Sequence, residues 1–214
     1  MTDLSVKVIL SYLLGSVIGS LLVGRLRGGV DIRNLASGNA GATNALRTQG
    51  KSFALWVLFI DIAKGWIATR IVSRLVFIDS PSDPLQVWAA SLCGVAVMLG
   101  HVYPLWYGFR GGKGVATLVG VVLGLDPALL VPVLVTWLIA VMLFGFVGLG
   151  SMVAAASLCV AVVLTHAEPT APLLLFGIVA TLLIVYTHRT NIARMMAGTE
   201  RRARKLWLFG RRRT

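Results

Sequence analysis

This sequence has little acid and few residues that bind metals. Asp and Glu number 8 against 20 Lys and Arg, for a net charge of +12. No carboxylates cluster in a way that suits magnesium. The two cysteines, Cys93 and Cys159, lie inside apolar runs, with no C-x-x-C and no Cys/His cluster. That pattern gives neither a zinc site nor a disulfide framework, and both residues read as small core side chains. We therefore expect no metal and no cofactor. The metalloprotease H-E-x-x-H and the hydrolase G-x-S-x-G are absent. So is an H-x4-D acyltransferase signature, because Trp106 and Ala193 stand five residues after His101 and His188. Aromatic-basic nucleic-acid motifs are also missing, so the excess charge does not indicate a nucleic-acid partner. The N-terminus has Asp3, no basic n-region and no A-x-A site, and reads as a retained helix.

What the chain does have is apolar length. It is 57% hydrophobic, with a mean hydropathy of +0.85. Runs of about 20 apolar residues read as membrane helices. Seven segments are predicted, at 4–24, 53–76, 85–107, 115–125, 128–147, 150–165 and 171–187. The fourth is too short for a full crossing. The expected fold is an all-α polytopic membrane protein with a single domain over 1–214 and a basic tail at about 199–214. Charge orders the connections. One set carries Arg25, Arg27, Arg33, Arg47 and Lys51, then Arg110 and Lys113, then the C-terminal tail. The other carries Asp79, Asp83, Asp126 and Glu168, with no Lys or Arg. Basic connections mark the cytoplasmic side, which predicts an outside N-terminus and a cytoplasmic C-terminus. Lys7, Arg70 and Arg74 near the outer ends are expected to snorkel. Gly15-x-x-x-Gly19 and Ser16-x-x-x-Ser20 predict close packing of one continuous first helix. The tail from Arg201 mixes basic and apolar residues. It fits either a layer on anionic headgroups or a topology anchor in solution.

Two glycine-rich segments fall on the basic side. The first is SGNAGATNALR, with Ser37, Asn39, Thr43, Asn44 and Arg47. Hydroxyls and amides orient a polyol phosphate, and an arginine grips phosphate in a bidentate way. The second runs from Gly100-His101-Val102-Tyr103-Pro104 to Gly111-Gly112-Lys113-Gly114-Val115-Ala116-Thr117. Its glycines admit an anion close to the backbone, and Lys113 adds a point charge. Lys113 is followed by Gly114, so this is not a Walker A loop. His188, Asn191 and Arg194 recur every three residues near the end of the last segment, on a related face. His166, by contrast, stands alone on the other side and reads as structural. Asp61 and Lys64 at i, i+3 predict an intramembrane pair. Either charge alone costs ~2.5–3.5 kcal/mol at mid-helix on insertion scales.

These strings together resemble the bacterial membrane glycerol-3-phosphate acyltransferases that use acyl phosphate as donor. The residues that carry the resemblance are Ser37 to Arg47, Asp61-x-x-Lys64-Gly65, Gly100-His101-x-Tyr103-Pro104, Gly111 to Thr117, and His188-x-x-Asn191-Ile192-x-Arg194. The resemblance implies acyl transfer to the sn-1 hydroxyl of glycerol 3-phosphate, releasing lysophosphatidic acid and phosphate, in a bacterial inner membrane with the site facing the cytoplasm. It implies catalytic roles for Ser37, His101, His188 and Asn191. It implies substrate contacts for Asn39, Thr43, Asn44, Arg47, Gly112, Lys113, Gly114 and Arg194. The Asp61/Lys64 pair reads as a brace for that site, the alternative being a pair that only satisfies itself. Implied partners are glycerol 3-phosphate, acyl phosphate and membrane lipid; contact with the enzyme that makes acyl phosphate is left open. One departure stands out. The family's usual phosphate-binding serine after the fifth helix is replaced here by Gly148, in Gly148-Leu149-Gly150-Ser151. A Gly148 N–H or the Ser151 hydroxyl is the candidate substitute. His101, His188 or the donor's own phosphate can take the hydroxyl proton, and the residues leave that choice open. The rival reading is a transporter or flippase of a phosphorylated solute, which also needs basic loops and intramembrane charge.

Overall fold

A computed structural model of the chain describes residues 2–78, 84–166 and 171–210. Asp79, Asp83, Glu168 and the three arginines at 211–213 lie outside these residues. Among the described residues all regular structure is helical. The chain divides into two compact units, Met1–Asp126 and Pro127–Thr214.

The first unit holds α1 (Asp3–Gly15), α2 (Gly19–Leu26), α3 (Ala42–Gln49), α4 (Lys51–Arg70), α5 (Ala89–Val102) and α6 (Val115–Leu125). α4 is its centre and contacts α2, α3, α5 and α6, while α1 packs on α5. Small residues permit the closest approaches. A Cβ on Gly65 would run into Thr117 O, and one on Gly120 would run into Ile62 O. These contacts let α4 and α6 meet backbone to backbone.

The first segment is not one helix. α1 and α2 meet at a 48° bend. Ile18 is extended there, with φ −90° and ψ 117°. No proline lies in this segment, and the break is stabilised from outside it. Lys64 Nζ donates to Gly15 O at 3.0 Å and Val17 O at 2.8 Å. A carbonyl freed inside a membrane needs such a donor. The predicted Gly15/Gly19 face is therefore split, and the two glycines pack on different partners, Val97 and Val57. The predicted snorkelling of Lys7 is also corrected. Lys7 is buried and pairs with Asp3 at 2.6 Å and Gln86 at 2.9 Å. Asp3 in turn accepts the N–H groups of Phe77 and Ile78. Arg70 and Arg74 are exposed.

The second unit holds α7 (Leu130–Phe144), α8 (Val147–Thr165), α9 (Ala171–Thr187) and α10 (Arg189–Met196). α8 contacts both α7 and α9, and α10 contacts α8 and α9. α9 and α10 meet at 54°. α7 exposes Val131, Leu134, Val135, Leu138 and Ile139. In water such a face would be a large apolar patch, whereas hydrocarbon solvates it. By length and composition, three segments can cross a membrane among the described residues: Pro84–Tyr107, Pro127–Phe144 and Val147–Thr165. The number is five if each bent pair is one span.

Candidate functional site

In the first unit, the segment between α2 and α3 is shaped by one buried amide. Asn44 Nδ2 donates to Ile32 O at 2.9 Å and Leu35 O at 3.1 Å, and Asn44 Oδ1 accepts from Ser37 N at 3.2 Å. These are backbone partners, so Asn44 folds the loop that presents Ser37. Ser20 Oγ donates to Ala40 O at 2.8 Å and fixes its other end. Ser37, Thr43 and Arg47 are then exposed, and Asn39 is half-buried. Arg47 lies on an amphipathic turn whose other face buries Ala45 with Val23, Ile32, Phe53 and Val57.

Arg33, which the sequence reading treated only as a topology charge, ties the two loops together. Its Nη1 donates to Tyr107 O and Arg110 O, both at 3.0 Å. The same guanidinium forks onto Asp31, with Nη2 to Oδ2 at 2.7 Å. The Arg33 hydrogen bonds hold the Asp31 carboxyl below its usual range, against the opposing effect of burial. Tyr107 packs on Ile18, Leu21 and Ala40. The sequence signal was available in the Asp31-x-Arg33 spacing, but its target lies more than seventy residues away in the chain.

The second loop folds back on the end of α5. Gly111 N–H donates to Val102 O and Gly112 N–H to His101 O, each at 3.1 Å. These two N–H groups therefore hold the loop in place. The loop then enters α6 through Gly114, whose φ is 84°. The first-turn N–H groups of α6 have no helical acceptor and carry the positive end of its dipole. Lys113 is half-buried beside them.

Under this loop lies a buried triad. Lys64 Nζ stands 2.9 Å from Asp61 Oδ1 and 2.8 Å from His101 Nδ1. Asp61 Oδ1 also accepts Gly19 N–H at 3.2 Å. Of the two groups facing His101 Nδ1, the ammonium at 2.8 Å is nearer than the Asp61 carboxylate oxygen at 3.4 Å. An ammonium only donates, so Nδ1 is assigned as the acceptor and the ring proton to Nε2. Nε2 is the atom that a Cβ on Gly112 would strike. Gly112 is thus where the loop backbone lies against the imidazole. The other carboxylate oxygen, Asp61 Oδ2, and Thr117 Oγ1 are buried without a hydrogen-bond partner. Gly112→Ala is expected to push the loop off His101 and lower kcat by about a hundredfold, the scale of a misplacement near 1 Å. Steady-state kinetics beside size-exclusion profiles check it, and a folded variant with kcat within threefold of the parent contradicts it.

In the second unit, His188 caps α10 and is buried. Its Nδ1 is 2.8 Å from Ile184 O. A carbonyl only accepts, so the proton sits on Nδ1 and Nε2 is the basic atom. The two histidines therefore have opposite tautomers. Asn191 and Arg194 do share a side, as the spacing implied, and one carboxylate joins them. Asn191 Nδ2 donates to Glu200 Oε1 at 2.6 Å, and Arg194 Nε to Glu200 Oε2 at 2.5 Å. Glu200 gave no motif signal. A Cβ on Gly148 would lie 3.2 Å from the Asn191 side chain, so the usual serine would crowd that amide here. Ser151 Oγ donates to Val147 O at 2.9 Å. Among the described residues no group of three His, Cys, Asp or Glu is placed to hold a metal.

The sequence and fold have clear relatives. The family model for glycerol-3-phosphate acyltransferase matches residues 5–198. A glycerol-3-phosphate acyltransferase of Aquifex aeolicus is 40% identical over 195 residues, covering 91% of this chain and 96% of that one. One of Bordetella pertussis is 40% identical over 205 residues, covering 94% and 92%. Among solved structures, PlsY (YgiH), an integral membrane glycerol 3-phosphate acyltransferase in its glycerol 3-phosphate form, superposes with a TM-score of 0.82 at 38% identity. The match covers 94% of this chain and 96% of that one. Its lysophosphatidic acid form gives 0.81 at 37%. With both glycine-rich loops, the intramembrane pair and the last histidine motif inside the matched span, the chain belongs to the glycerol-3-phosphate acyltransferase family.

Proposed function

We propose that this chain transfers a fatty acyl group from acyl phosphate to the sn-1 hydroxyl of glycerol 3-phosphate, giving lysophosphatidic acid and phosphate for phospholipid synthesis. The observation that carries this reading is the full-length likeness to a relative solved in both a glycerol 3-phosphate form and a lysophosphatidic acid form. The hydroxyl oxygen attacks the acyl carbon, the bond from that carbon to the phosphate oxygen breaks, and phosphate leaves with the electron pair. An acyl phosphate is a mixed anhydride with a good leaving group, so the chain needs alignment and charge more than a strong nucleophile. The first unit offers Arg47, Lys113 and the α6 N-terminus to phosphate oxygens, with Ser37, Asn39 and Thr43 for the polyol. His101 holds the Gly112 loop through its backbone carbonyl, which accepts Gly112 N–H, and its ring lies against Gly112. The second unit offers a basic atom, His188 Nε2, suited to the hydroxyl proton. Asn191 and Arg194 are oriented by Glu200. Purified protein in detergent, supplied with acyl phosphate and glycerol 3-phosphate, is expected to release phosphate with stoichiometric lysophosphatidic acid. Transport of a phosphorylated solute by proteoliposomes, without that release, would support the rival reading.

Arg47→Ala and Lys113→Ala are each expected to lower kcat/KM for glycerol 3-phosphate about ten- to a hundredfold. A lost charge-assisted hydrogen bond costs ~1.5–3 kcal/mol. Arg47→Lys stays impaired, because a point charge lacks the bidentate fork. Near-parental kinetics in both alanine variants would reduce these residues to topology signals.

The proposed placement is a bacterial inner membrane, crossed seven times, with the N-terminus outside and the loops in the cytoplasm. α4 and the short α6 join the five spans counted above, and the basic connections support the orientation. In a background without Cys93 and Cys159, Ser80→Cys is expected to label from outside intact cells and Lys205→Cys only after permeabilisation. The reverse pattern overturns the orientation.

A further inference from the structure

Beyond residue 198, where the family match ends, the chain carries a folded basic tail. Thr199 N–H and Glu200 N–H both donate to Arg194 O, at 2.8 and 3.1 Å, and turn the chain back. Ala203 N–H then donates to Gly145 O at 2.7 Å. Trp207 Nε1–H donates to Leu143 O at 3.2 Å. Both acceptors lie at the end of α7, where carbonyls lack helical donors. The Arg202 guanidinium stacks on Phe146 at 4.9 Å and on Trp207 at 4.1 Å, a cation–π arrangement on two rings. Gly145 makes the room, since a Cβ there would come within 3.0 Å of Trp207.

This fold forms an open cleft of about 540 Å³ lined by Thr199, Glu200, Arg201, Arg202, Arg204 and Trp207. Glu200 is its one carboxylate, and both oxygens already accept from Asn191 and Arg194. Among the described residues Arg201 and Arg204 are in no ion pair. The lining is therefore cationic and suited to phosphate oxygens. Apolar side chains accompany the cations: Leu208 is 54% exposed and Phe209 72% exposed. Exposed apolar groups beside arginines are the composition of a segment lying at a headgroup boundary. A soluble phosphate ester would engage the cations and leave Leu208 and Phe209 in water. We propose that residues 199–210 form a binding site for the phosphodiester headgroup of an anionic phospholipid, with Leu208 and Phe209 meeting its acyl region.

The test titrates full-length protein in detergent with dioctanoyl phosphatidylglycerol, dioctanoyl phosphatidylcholine or inorganic phosphate, scoring bound lipid by native mass spectrometry. The parent is expected to retain phosphatidylglycerol over phosphatidylcholine. Arg201→Gln/Arg204→Gln is expected to weaken phosphatidylglycerol retention about thirtyfold, each basic residue near an anionic lipid contributing roughly a factor of five. The single variants each show that smaller factor, so the measurement does not depend on the double variant folding. Arg201→Lys/Arg204→Lys keeps most of the retention. Equal retention of the two lipids, or unchanged retention in the glutamine variants, overturns the proposal. Displacement of phosphatidylglycerol by equimolar inorganic phosphate also overturns it, assigning the site to free phosphate.

Discussion

His188→Ala is expected to lower kcat for acyl transfer by about 10²–10⁴-fold, the usual contribution of a positioned general base. The ring is buried and its Nδ1 proton goes to Ile184 O at 2.8 Å, which leaves Nε2 as the basic atom. As the proposed general base, His188 would act on a proton that moves only in the transition state, so KM for glycerol 3-phosphate should change little. His188→Gln restores an acceptor of similar reach but little basicity, and should leave kcat low with KM near the parent value. Single-turnover measurements separate chemistry from product release. A His188→Ala enzyme with kcat within threefold of the parent would show that the donor phosphate takes the proton itself. His101 makes the contrast. With its Nδ1 occupied by Lys64, His101→Ala should act mainly through the position of the Gly112 loop.

Lys64→Met is expected to prevent recovery of folded protein in detergent, or to lower its melting temperature sharply. The substitution leaves Asp61 as a buried charge without a cation, a loss of ~3–5 kcal/mol. It also takes the donor from Gly15 O and Val17 O, which lie 3.0 and 2.8 Å from Nζ at the break between α1 and α2. Lys64→Arg should rescue poorly, because a planar fork cannot point at these carbonyls and at Asp61 Oδ1 together. Asp61→Asn/Lys64→Met should recover part of the loss, since no charge is then buried alone. Melting curves and monodispersity for the cycle measure the coupling. Simple additivity of the two single losses would mean that the pair does not act as a unit.

Much of the helical layout was legible because apolar length has a direct physical meaning in a membrane. The segments read at 115–125 and 171–187 coincide with α6 and α9. The Asp61/Lys64 pairing was legible for the same reason, since two opposite charges one turn apart in an apolar run have few other partners. The break in the first segment was not. Gly15 and Ser16 weaken the helix locally, with Ser16 Oγ donating back to Tyr12 O at 3.0 Å, but the lysine that stabilises the freed carbonyls is 49 positions away. Lys7 misled in a related way. A lysine near a helix end ordinarily snorkels, but here Asp3 and Gln86 meet it in the interior.

By composition and motif alone, the sequence determined an all-helical apolar chain with two glycine-rich basic loops and a terminal histidine motif, and it carried the family resemblance. Tertiary structure decided what each polar group does. Asn44, grouped with the substrate contacts, has its amide on the loop backbone. Arg33, read as topology, joins two loops. The histidines, indistinguishable as letters, acquire opposite tautomers because one faces an ammonium and the other a carbonyl. A residue's type sets which hydrogen bonds it is able to make. Which of them it makes depends on atoms brought near by distant parts of the chain, and local sequence holds no record of those distances.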